Sequence, residues 1–300
     1  ELPGAEFNLD VGSGSHAEQT GKILLGVEKI LTSNPTDVVL VQGDTNTVMA
    51  AALAAAKLNI PVGHVEAGLR SFDRCMPEET NRVVADHIST YLFAPTNTAK
   101  DHLLHEGIPQ EKIHVTGNTI VDAVYQNVEI GRKKGDILLE LGLDPGEYFL
   151  VTAHRAENVD HKPRLEGIFQ GLQGVQKEYE IPVVFPIHPR TQKMLSLFGI
   201  AHDGIRTVPP VGFLPFLQLE SNARLVLTDS GGVQEETCIL GIPCVTLREN
   251  TERPETLEVG ANVLAGTDAE SIKKSVQTML GSKVSWTNPF GDGTAAKKIT

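Results

Sequence analysis

Short apolar runs alternate along the chain with longer segments whose apolar residues recur at helical spacing. Continuous Val, Ile and Leu runs between turn residues are typical of strands buried on both faces, as in parallel sheets. The predicted strands are 38–42, 61–66, 90–94, 113–116, 148–152, 183–187, 204–208, 225–228 and 244–247. The predicted helices are 47–58, 79–88, 98–106, 163–180, 214–220 and 233–240. Strands alternating with helices predict an α/β chain of parallel sheets with crossover helices.

This alternation occurs twice, and residues 122–146 interrupt it with glycine and Asp-Pro-Gly turns. We therefore predict two Rossmann-like domains, over 1–124 and 125–285, with 286–300 beginning a helix that returns to the first domain. Ligands of such sheets bind at the carboxyl ends of the strands, which predicts an active site in the cleft between the domains.

A strand at 6–9 and a helix at 16–31 are predicted near the start, and no first βαβ unit precedes them. We therefore expect an N-terminally truncated chain whose first sheet exposes an edge and apolar surface, with a naturally small fold as the alternative. Such a chain is expected to be poorly active or to aggregate.

Composition excludes several classes of protein. The 300 residues carry a net charge of −12, which argues against a nucleic-acid partner. No apolar run is long enough to cross a membrane, and no secretory signal stands at the start. The three cysteines are odd in number and lack metal-ligand spacing, so we expect a cytoplasmic protein without a structural metal.

The turn Ser230-Gly231-Gly232 follows a predicted strand and precedes a predicted helix. The free N–H groups at a helix N-terminus bind anions, and glycines allow a phosphate to approach closely. Glu236, one turn into the helix, is placed to accept hydrogen bonds from ribose hydroxyls. Many Gly-Gly turns of this kind bind nothing, so the turn alone leaves both interpretations open.

Three carboxylates follow successive predicted strands of the first half. Asp44 and Glu66 each come directly after a strand, and Glu78 begins the next helix behind Pro77. Each has a structural alternative as a helix cap or a first-turn acid. Loops at one sheet edge converge in space, so together they predict an acid/base centre.

Basic residues follow strands of the second half. His154 and Arg155 come after the strand at 148–152, and Arg253 after the one at 244–247. They are candidate cations for a diphosphate, with a hydrogen-bonded loop histidine and a salt bridge as the alternatives. Phe216 is a candidate to stack on a base, although core packing is its usual role.

Six motifs in series resemble the non-hydrolysing UDP-N-acetylglucosamine 2-epimerases. They are GDT at 43–45, GHVEAGLRS at 63–71, PEETNR at 77–82, HRAEN at 154–158, LTDSGGVQEE at 227–236 and TERPE at 251–255. The resemblance implies a two-domain GT-B-like fold and interconversion of UDP-GlcNAc and UDP-ManNAc through a 2-acetamidoglucal intermediate. It also implies that the enzyme needs no cofactor and forms a homodimer.

The resemblance also implies roles for individual residues. Asp44, Glu66 and Glu78 match the acid/base carboxylates, and His154 matches the histidine beside the diphosphate. The residues matching substrate contacts are Arg82, Val211, Phe216, Ser230, Gly231, Gly232, Glu236 and Arg253. Family members carry a further segment before the counterpart of residue 6, and its basic residues help to hold the substrate. This segment has no counterpart here, so which residues take over that contact stays open.

Four other functions stay open. A sibling epimerase would act on a modified UDP-sugar such as a diacetamido-uronic acid, and a hydrolysing epimerase would release free sugar. A GT-B glycosyltransferase would need no carboxylate trio, and a UDP-sugar sensor would bind without catalysis. The sequence does not indicate which glycan pathway the product serves.

Overall fold

The computed structural model describes residues 4–281 and 285–300, which fall into two compact units. The first unit runs to Asn118 and includes Thr294–Thr300, and the second is Thr119–Gly293. Each unit has its own sheet, and every strand pair within it is parallel. The prediction of an α/β chain with two parallel sheets is confirmed.

The first unit has a four-stranded sheet in chain order. Its strands are β1 (Val39–Gln42), β2 (Val62–Val65), β3 (Tyr91–Ala94) and β4 (Ile113–Val115). Its helices up to that point are α1 (His16–Ser33), α2 (Asn46–Lys57), α3 (Pro77–Ile88) and α4 (Asn97–His105), with a 3-10 helix at Gln110–Lys112.

Helices cover both faces of this sheet, which explains the continuous apolar strands. Leu92 and Leu103 belong to a buried cluster formed with α4, while Val41 and Ala52 belong to a second cluster formed with α2. β1 lies at the edge of the sheet, and Leu40 there is about half exposed. The carboxyl ends of β1 and β2 are adjacent, so the loops after them share one edge.

The second unit has a six-stranded sheet in the order β10-β9-β8-β5-β6-β7. Its strands are β5 (Phe149–Thr152), β6 (Val183–Pro186), β7 (Ile205–Val208), β8 (Leu225–Thr228), β9 (Cys244–Thr246) and β10 (Asn262–Leu264). Its helices are α5 (Thr119–Lys134), α6 (Ile137–Leu141), α7 (Ala156–Val159), α8 (Lys162–Tyr179), α9 (Pro189–Phe198), α10 (Phe213–Ser221), α11 (Gly231–Leu240), α12 (Pro254–Glu258) and α13 (Ala269–Gly281). The last helix, α14 (Ala295–Ile299), belongs to the first unit.

Two expectations differ from the structure. Residues 6–9 form no strand, and β1 pairs only with β2. The helix α5 continues through Gly131, where the sequence predicted an interruption. Gly131 is buried against Gln218, whose amide donates to the Gly131 carbonyl at 2.6 Å, so packing on α10 outweighs the glycine.

Candidate active site

The predicted carboxylates of the first unit lie at the carboxyl edge of its sheet. Asp44 follows β1 after Gly43, and Glu66 follows β2 directly. Gln42 Nε2 donates to Glu66 Oε1 at 3.0 Å, which links the end of one strand to the loop of the next. Both carboxylates are partly exposed, so a substrate can reach them.

Arg82 holds Asp44 in place from helix α3. Its guanidinium donates to Asp44 Oδ2 through Nε at 3.0 Å and Nη2 at 2.7 Å. Its Nη1 donates to Glu79 Oε2 at 2.6 Å, and the arginine is buried. A buried guanidinium with two carboxylate partners is a fixed charge, so Arg82 aligns Asp44.

Glu79 was not predicted from the sequence, although it lies inside the PEETNR motif. It accepts the backbone N–H groups of Ser71 and Phe72, each at 3.0 Å, as well as the Arg82 guanidinium. Burial alone would raise the pKa of Glu79, but these donors and the arginine charge hold that pKa below its usual range. Glu79 is therefore a buried structural anion that anchors the loop after β2.

Glu78 differs from its neighbour although both begin α3. It is partly exposed, and within the part of the chain that the structure describes it has no hydrogen-bond or ion-pair partner. It stands four residues before Arg82, which places the two on one face of α3. An unpaired carboxylate beside a paired one suits exchange of a proton with a substrate.

The loop after β2 has a constrained backbone. Glu66 has a φ of +69°, and Gly68 has a φ of +82°. A Cβ on Gly68 would lie 2.2 Å from the Ala99 carbonyl oxygen, so only glycine fits there. The chain thus turns sharply at Glu66 and directs this loop over the sheet edge.

A buried ion network lies beneath this edge. His64, on β2, contacts Asp86 Oδ1 through Nδ1 at 2.6 Å, and Arg70 Nη1 lies 2.7 Å from Asp86 Oδ2. Arg70 also donates to both carboxylate oxygens of Glu106, each at 2.7 Å. Burial alone would raise the pKa of Asp86, but the bond and charge of His64 and the charge of Arg70 hold that pKa below its usual range. This network was not predicted from the sequence.

The second unit gathers its predicted residues at the carboxyl edge of its own sheet. His154 follows β5, Ser230 follows β8 and Arg253 follows β9, and these three strands are neighbours. His154 is about half exposed, and its ring lies 6.2 Å from that of His188, which follows β6. The strand order therefore brings together loops that are far apart in sequence.

Asp229 fixes the loop that carries His154. Its carboxylate is fully buried and accepts the backbone N–H groups of His154 and Arg155, at 3.0 and 2.9 Å. Asn158 donates to the same oxygen at 3.1 Å, and the His154 ring lies 3.4 Å from the other oxygen. Asp229 was part of a recognised motif but was not predicted as a site residue; its role is to orient His154.

Helix α11 begins at Gly231, two residues earlier than predicted, with Ser230 as its N-cap. The Ser230 side chain makes no capping bond, so it does not occupy the N–H groups of this first turn, which are the groups that bind anions at a helix N-terminus. A Cβ on Gly231 would lie 2.5 Å from Glu252 Oε1, whereas one on Gly232 would meet nothing closer than 4.0 Å. Gly231 is thus needed for packing, and the space beside Gly232 is open.

Glu236 lies one turn into α11 and faces the fully buried Glu220 of α10. Both oxygens of Glu220 are buried, and within the described residues they meet no donor. Burial raises the pKa of both groups, that of Glu236 to about 7. Two facing carboxyl groups without a cation must hold a proton. Glu220 was not predicted from the sequence; a lone acid in the apolar helix 213–221 was its only signal.

Arg253 is paired within the protein. It is buried, and its Nε lies 2.7 Å from Glu235 Oε1. The neighbouring Glu252 forms ion pairs with Arg248 at 3.0 Å and with Arg155 at 3.3 Å. The loop after β9 is therefore held by buried ion pairs, and phosphate binding by Arg253 stays a prediction.

The two residues predicted beside the base are partly buried. Val211 and Phe216 pack against the apolar cluster that contains Tyr148, Leu150 and Val226. Packing of this kind fits the structural alternative for Phe216, and contact with a base stays a prediction.

The two edges offer different chemistry. The first presents carboxylates for proton transfer, and the second presents helix N–H groups for an anion. Among residues 4–281 and 285–300 there is no cluster of three His, Cys, Asp or Glu side chains suited to a metal ion. Within the same residues no helix has the length and apolarity to cross a bilayer.

One family profile, described as UDP-N-acetylglucosamine 2-epimerase, matches residues 1–300. The chain belongs to the UDP-N-acetylglucosamine 2-epimerase family. The predicted family and the predicted enzyme class, an isomerase, are thereby confirmed.

Two relatives and one crystal structure illustrate the similarity. A UDP-N-acetylglucosamine 2-epimerase of Methanocaldococcus jannaschii is 55% identical over 305 residues, covering 99% of this chain and 83% of the relative. The crystal structure of the M. jannaschii enzyme in complex with UDP-GlcNAc and UDP superimposes with a TM-score of 0.93 over 99% of this chain and 84% of that one, at 55% identity. A UDP-2,3-diacetamido-2,3-dideoxy-D-glucuronate 2-epimerase of Pseudomonas aeruginosa is 38% identical, covering 99% of this chain and 83% of the relative.

Proposed function

We propose that the chain interconverts UDP-N-acetylglucosamine and UDP-N-acetylmannosamine. The observation that carries the proposal is the carboxylate edge, where Asp44 is aligned by Arg82, Glu66 is held by Gln42, and Glu78 has no partner among the described residues. The 55% identity to the M. jannaschii enzyme supports this choice of substrate.

The proposed reaction is an elimination followed by an addition. A carboxylate removes the proton from C2 of the sugar, a C1–C2 double bond forms, and the C1–O bond breaks with its electrons going to UDP. UDP then adds back to C1 while a second group delivers a proton to the opposite face of C2. Inversion at C2 needs acid/base groups on both faces, which a cluster of Asp44, Glu66 and Glu78 would supply.

After the C1–O bond breaks, UDP has to stay bound to the protein. The N-terminus of α11 at Ser230, Gly231 and Gly232 offers backbone N–H groups and the positive end of the helix dipole to its phosphates. His154, oriented by Asp229, would add a donor, and Glu236 would accept hydrogen bonds from the ribose. Binding of the substrate in a cleft between the two domains stays a prediction.

Incubation of the full-length protein with UDP-GlcNAc in D₂O tests this function. We expect NMR to detect deuterium at C2 together with UDP-ManNAc, because reprotonation draws on solvent. Absence of both label and product would refute the proposed function, and release of free sugar would favour a hydrolysing enzyme.

Substitution of Glu66 tests the assignment of the carboxylate edge. Glu66→Gln keeps the shape of the side chain but removes its basicity, so C2 exchange should fall by about 10²- to 10⁴-fold. Affinity for UDP should stay within about twofold, because the anion site lies in the other unit. The exposed Glu111→Gln is the matched control and should retain full exchange.

A second substrate has one observation in its favour, the 38% identity to the P. aeruginosa enzyme. Turnover assays with UDP-GlcNAc and with a UDP-diacetamido-uronic acid decide between the two substrates. A kcat/KM higher for the uronic acid than for UDP-GlcNAc would make that sugar the substrate.

Three properties accompany the proposal. We infer that the enzyme works as a homodimer in the cytoplasm, without nucleic acid or membrane as a partner, on the basis of its family and its net charge of −12. Light scattering coupled to gel filtration measures the assembly, and a monomeric mass with full turnover would contradict the dimer.

A further inference from the structure

We propose that His64 is a buried imidazolium that positions the acid/base carboxylates by donating from both ring nitrogens, to Asp86 and to the carbonyl of Gly43. The proposal rests on the proposed function of the carboxylate edge. His64 is a positioning residue, because its own ring is buried and does not touch the substrate side.

The two contacts of His64 define its protonation. Its Nε2 lies 2.9 Å from the carbonyl oxygen of Gly43, which can only accept a hydrogen bond. Its Nδ1 lies 2.6 Å from Asp86 Oδ1. If Asp86 is ionised, both ring nitrogens must carry a proton.

Asp86 is held in its ionised form by its other neighbours. Its Oδ2 accepts the Gly68 N–H at 3.2 Å and lies 2.7 Å from Arg70 Nη1. A protonated carboxyl group would lose its attraction to this buried guanidinium. The four charged groups, His64, Arg70, Asp86 and Glu106, therefore form a neutral set of two cations and two anions.

The charges around His64 act in one direction. Burial alone would lower the pKa of His64, but the hydrogen bond and charge of Asp86, the Gly43 carbonyl and the charge of Glu66 together raise that pKa. Arg70 is the other cation of this set, and its guanidinium contacts Asp86.

The network touches every element that carries a predicted carboxylate. Gly43 directly precedes Asp44, and its φ of +85° forms the turn out of β1. Gly68 lies two residues after Glu66, and Asp86 lies on α3, the helix of Glu78. His64 thus contacts Gly43 at 2.9 Å and Asp86 at 2.6 Å, and Asp86 in turn accepts the Gly68 N–H at 3.2 Å, so the pair links two loops and one helix.

Two substitutions separate the two bonds of His64. In His64→Asn the amide nitrogen reaches the Nδ1 position and keeps the bond to Asp86, but nothing reaches Gly43. In His64→Gln the amide nitrogen reaches the Nε2 position and keeps the bond to Gly43. Because the Gly43 bond sets the position of Asp44, we expect kcat to fall by about 10²-fold in His64→Asn and to recover substantially in His64→Gln.

Affinity for UDP shows whether the second unit is still folded in these variants. Affinity for UDP should stay within about twofold in both variants, because its site lies in the second unit. The loss should therefore appear in kcat and not in UDP binding. Equal kcat in His64→Asn and wild type would overturn the proposal, and so would equal losses in the two variants.

NMR of ¹⁵N-labelled histidine reads the protonation directly, with the His64 signal assigned by its absence in His64→Gln. We expect both ring nitrogens to carry protons at pH 8, with exposed His105 as the internal reference. A single-proton tautomer would overturn the proposal and indicate a protonated Asp86. This result does not depend on turnover, so failure of the proposed function would leave it standing.

Discussion

Two groups of buried carboxylates in this protein have opposite electrostatics. In the first unit, Glu79 and Asp86 contact buried cations, and their pKa values lie below the usual range. In the second unit, Glu220 and Glu236 face each other without a cation, and burial raises their pKa values. Burial is common to both groups, so the partner decides whether a buried acid is an anion or holds a proton.

The difference matches the chemistry proposed for each unit. The fixed anions of the first unit hold cations and loops that align the reactive carboxylates Asp44 and Glu66. In the proposed reaction the second unit holds a negatively charged leaving group, and a carboxyl pair that keeps a proton repels it less than two ionised groups would. Each arrangement can be broken separately.

The largest expected effect comes from the first unit. The two oxygens of Glu79 accept hydrogen bonds from a buried arginine and from two backbone N–H groups. Glu79→Gln replaces one of these oxygens with an amide nitrogen, which cannot accept, so we expect it to destabilise this unit by about 3 kcal/mol. Hydrogen exchange followed by mass spectrometry on β2 and α3 measures the loss.

The adjacent Glu78→Gln is the control, since Glu78 makes no such contacts within the described residues. It should change stability by less than about 0.5 kcal/mol but lower C2 exchange by about 10²-fold. The assignment of roles would be wrong if Glu78→Gln unfolded the unit and Glu79→Gln left it intact.

The carboxyl pair predicts a stability that falls as pH rises. The pKa of Glu236 is raised from 4.5 to about 7, so the folded protein keeps a proton that the unfolded chain loses above about pH 4.5. Between pH 5 and 8 the second unit should therefore lose roughly 3 kcal/mol relative to Glu236→Gln. Urea unfolding followed by the fluorescence of Trp286, the single tryptophan, reports on this unit.

Glu220→Gln removes the other acid of the pair and should also flatten this pH dependence. A parent protein whose stability rose with pH over the same range would contradict the shared proton. In the first unit the direction is reversed for Asp86, whose lowered pKa adds stability that is lost as the solution becomes acidic.

The smallest effects concern the two glycines of the anion site. Gly231→Ala places a Cβ 2.5 Å from buried Glu252, so we expect a loss of about 1–3 kcal/mol in stability. Gly232→Ala has free space and should change stability by less than about 0.5 kcal/mol. Its methyl group should instead weaken UDP binding by about tenfold, measured by calorimetry. Equal UDP affinity in Gly232→Ala and wild type would place the phosphates elsewhere.

Much of the fold could be predicted because its signals are local. Strands such as Leu225–Thr228 are continuous apolar runs, and glycines such as Gly241 end helices in a left-handed conformation. The interruption expected at Gly131 was wrong because the packing of Gln218 depends on a helix more than 80 residues away in sequence.

The proposed acid/base carboxylates have local sequence signals, because Asp44 and Glu66 each follow a strand and Glu78 begins a helix, but the residues that hold them have none. Asp86 lies in the last turn of a helix, and nothing in its local sequence indicates His64 or Arg70 as partners. Glu78 and Glu79 are identical in type and adjacent, and only the direction of each side chain separates a free acid from a buried anchor. Such pairings depend on tertiary contacts.

The left-handed backbone of Glu66 has a consequence for engineering. A residue with a side chain loses roughly 1–2 kcal/mol of folding free energy at a φ of +69°, and glycine does not. Glu66→Gly should therefore raise the melting temperature of the first unit while removing a proposed catalytic base. Directed evolution of this enzyme by thermal stability alone would favour loss of that carboxylate, so each round of selection has to include turnover.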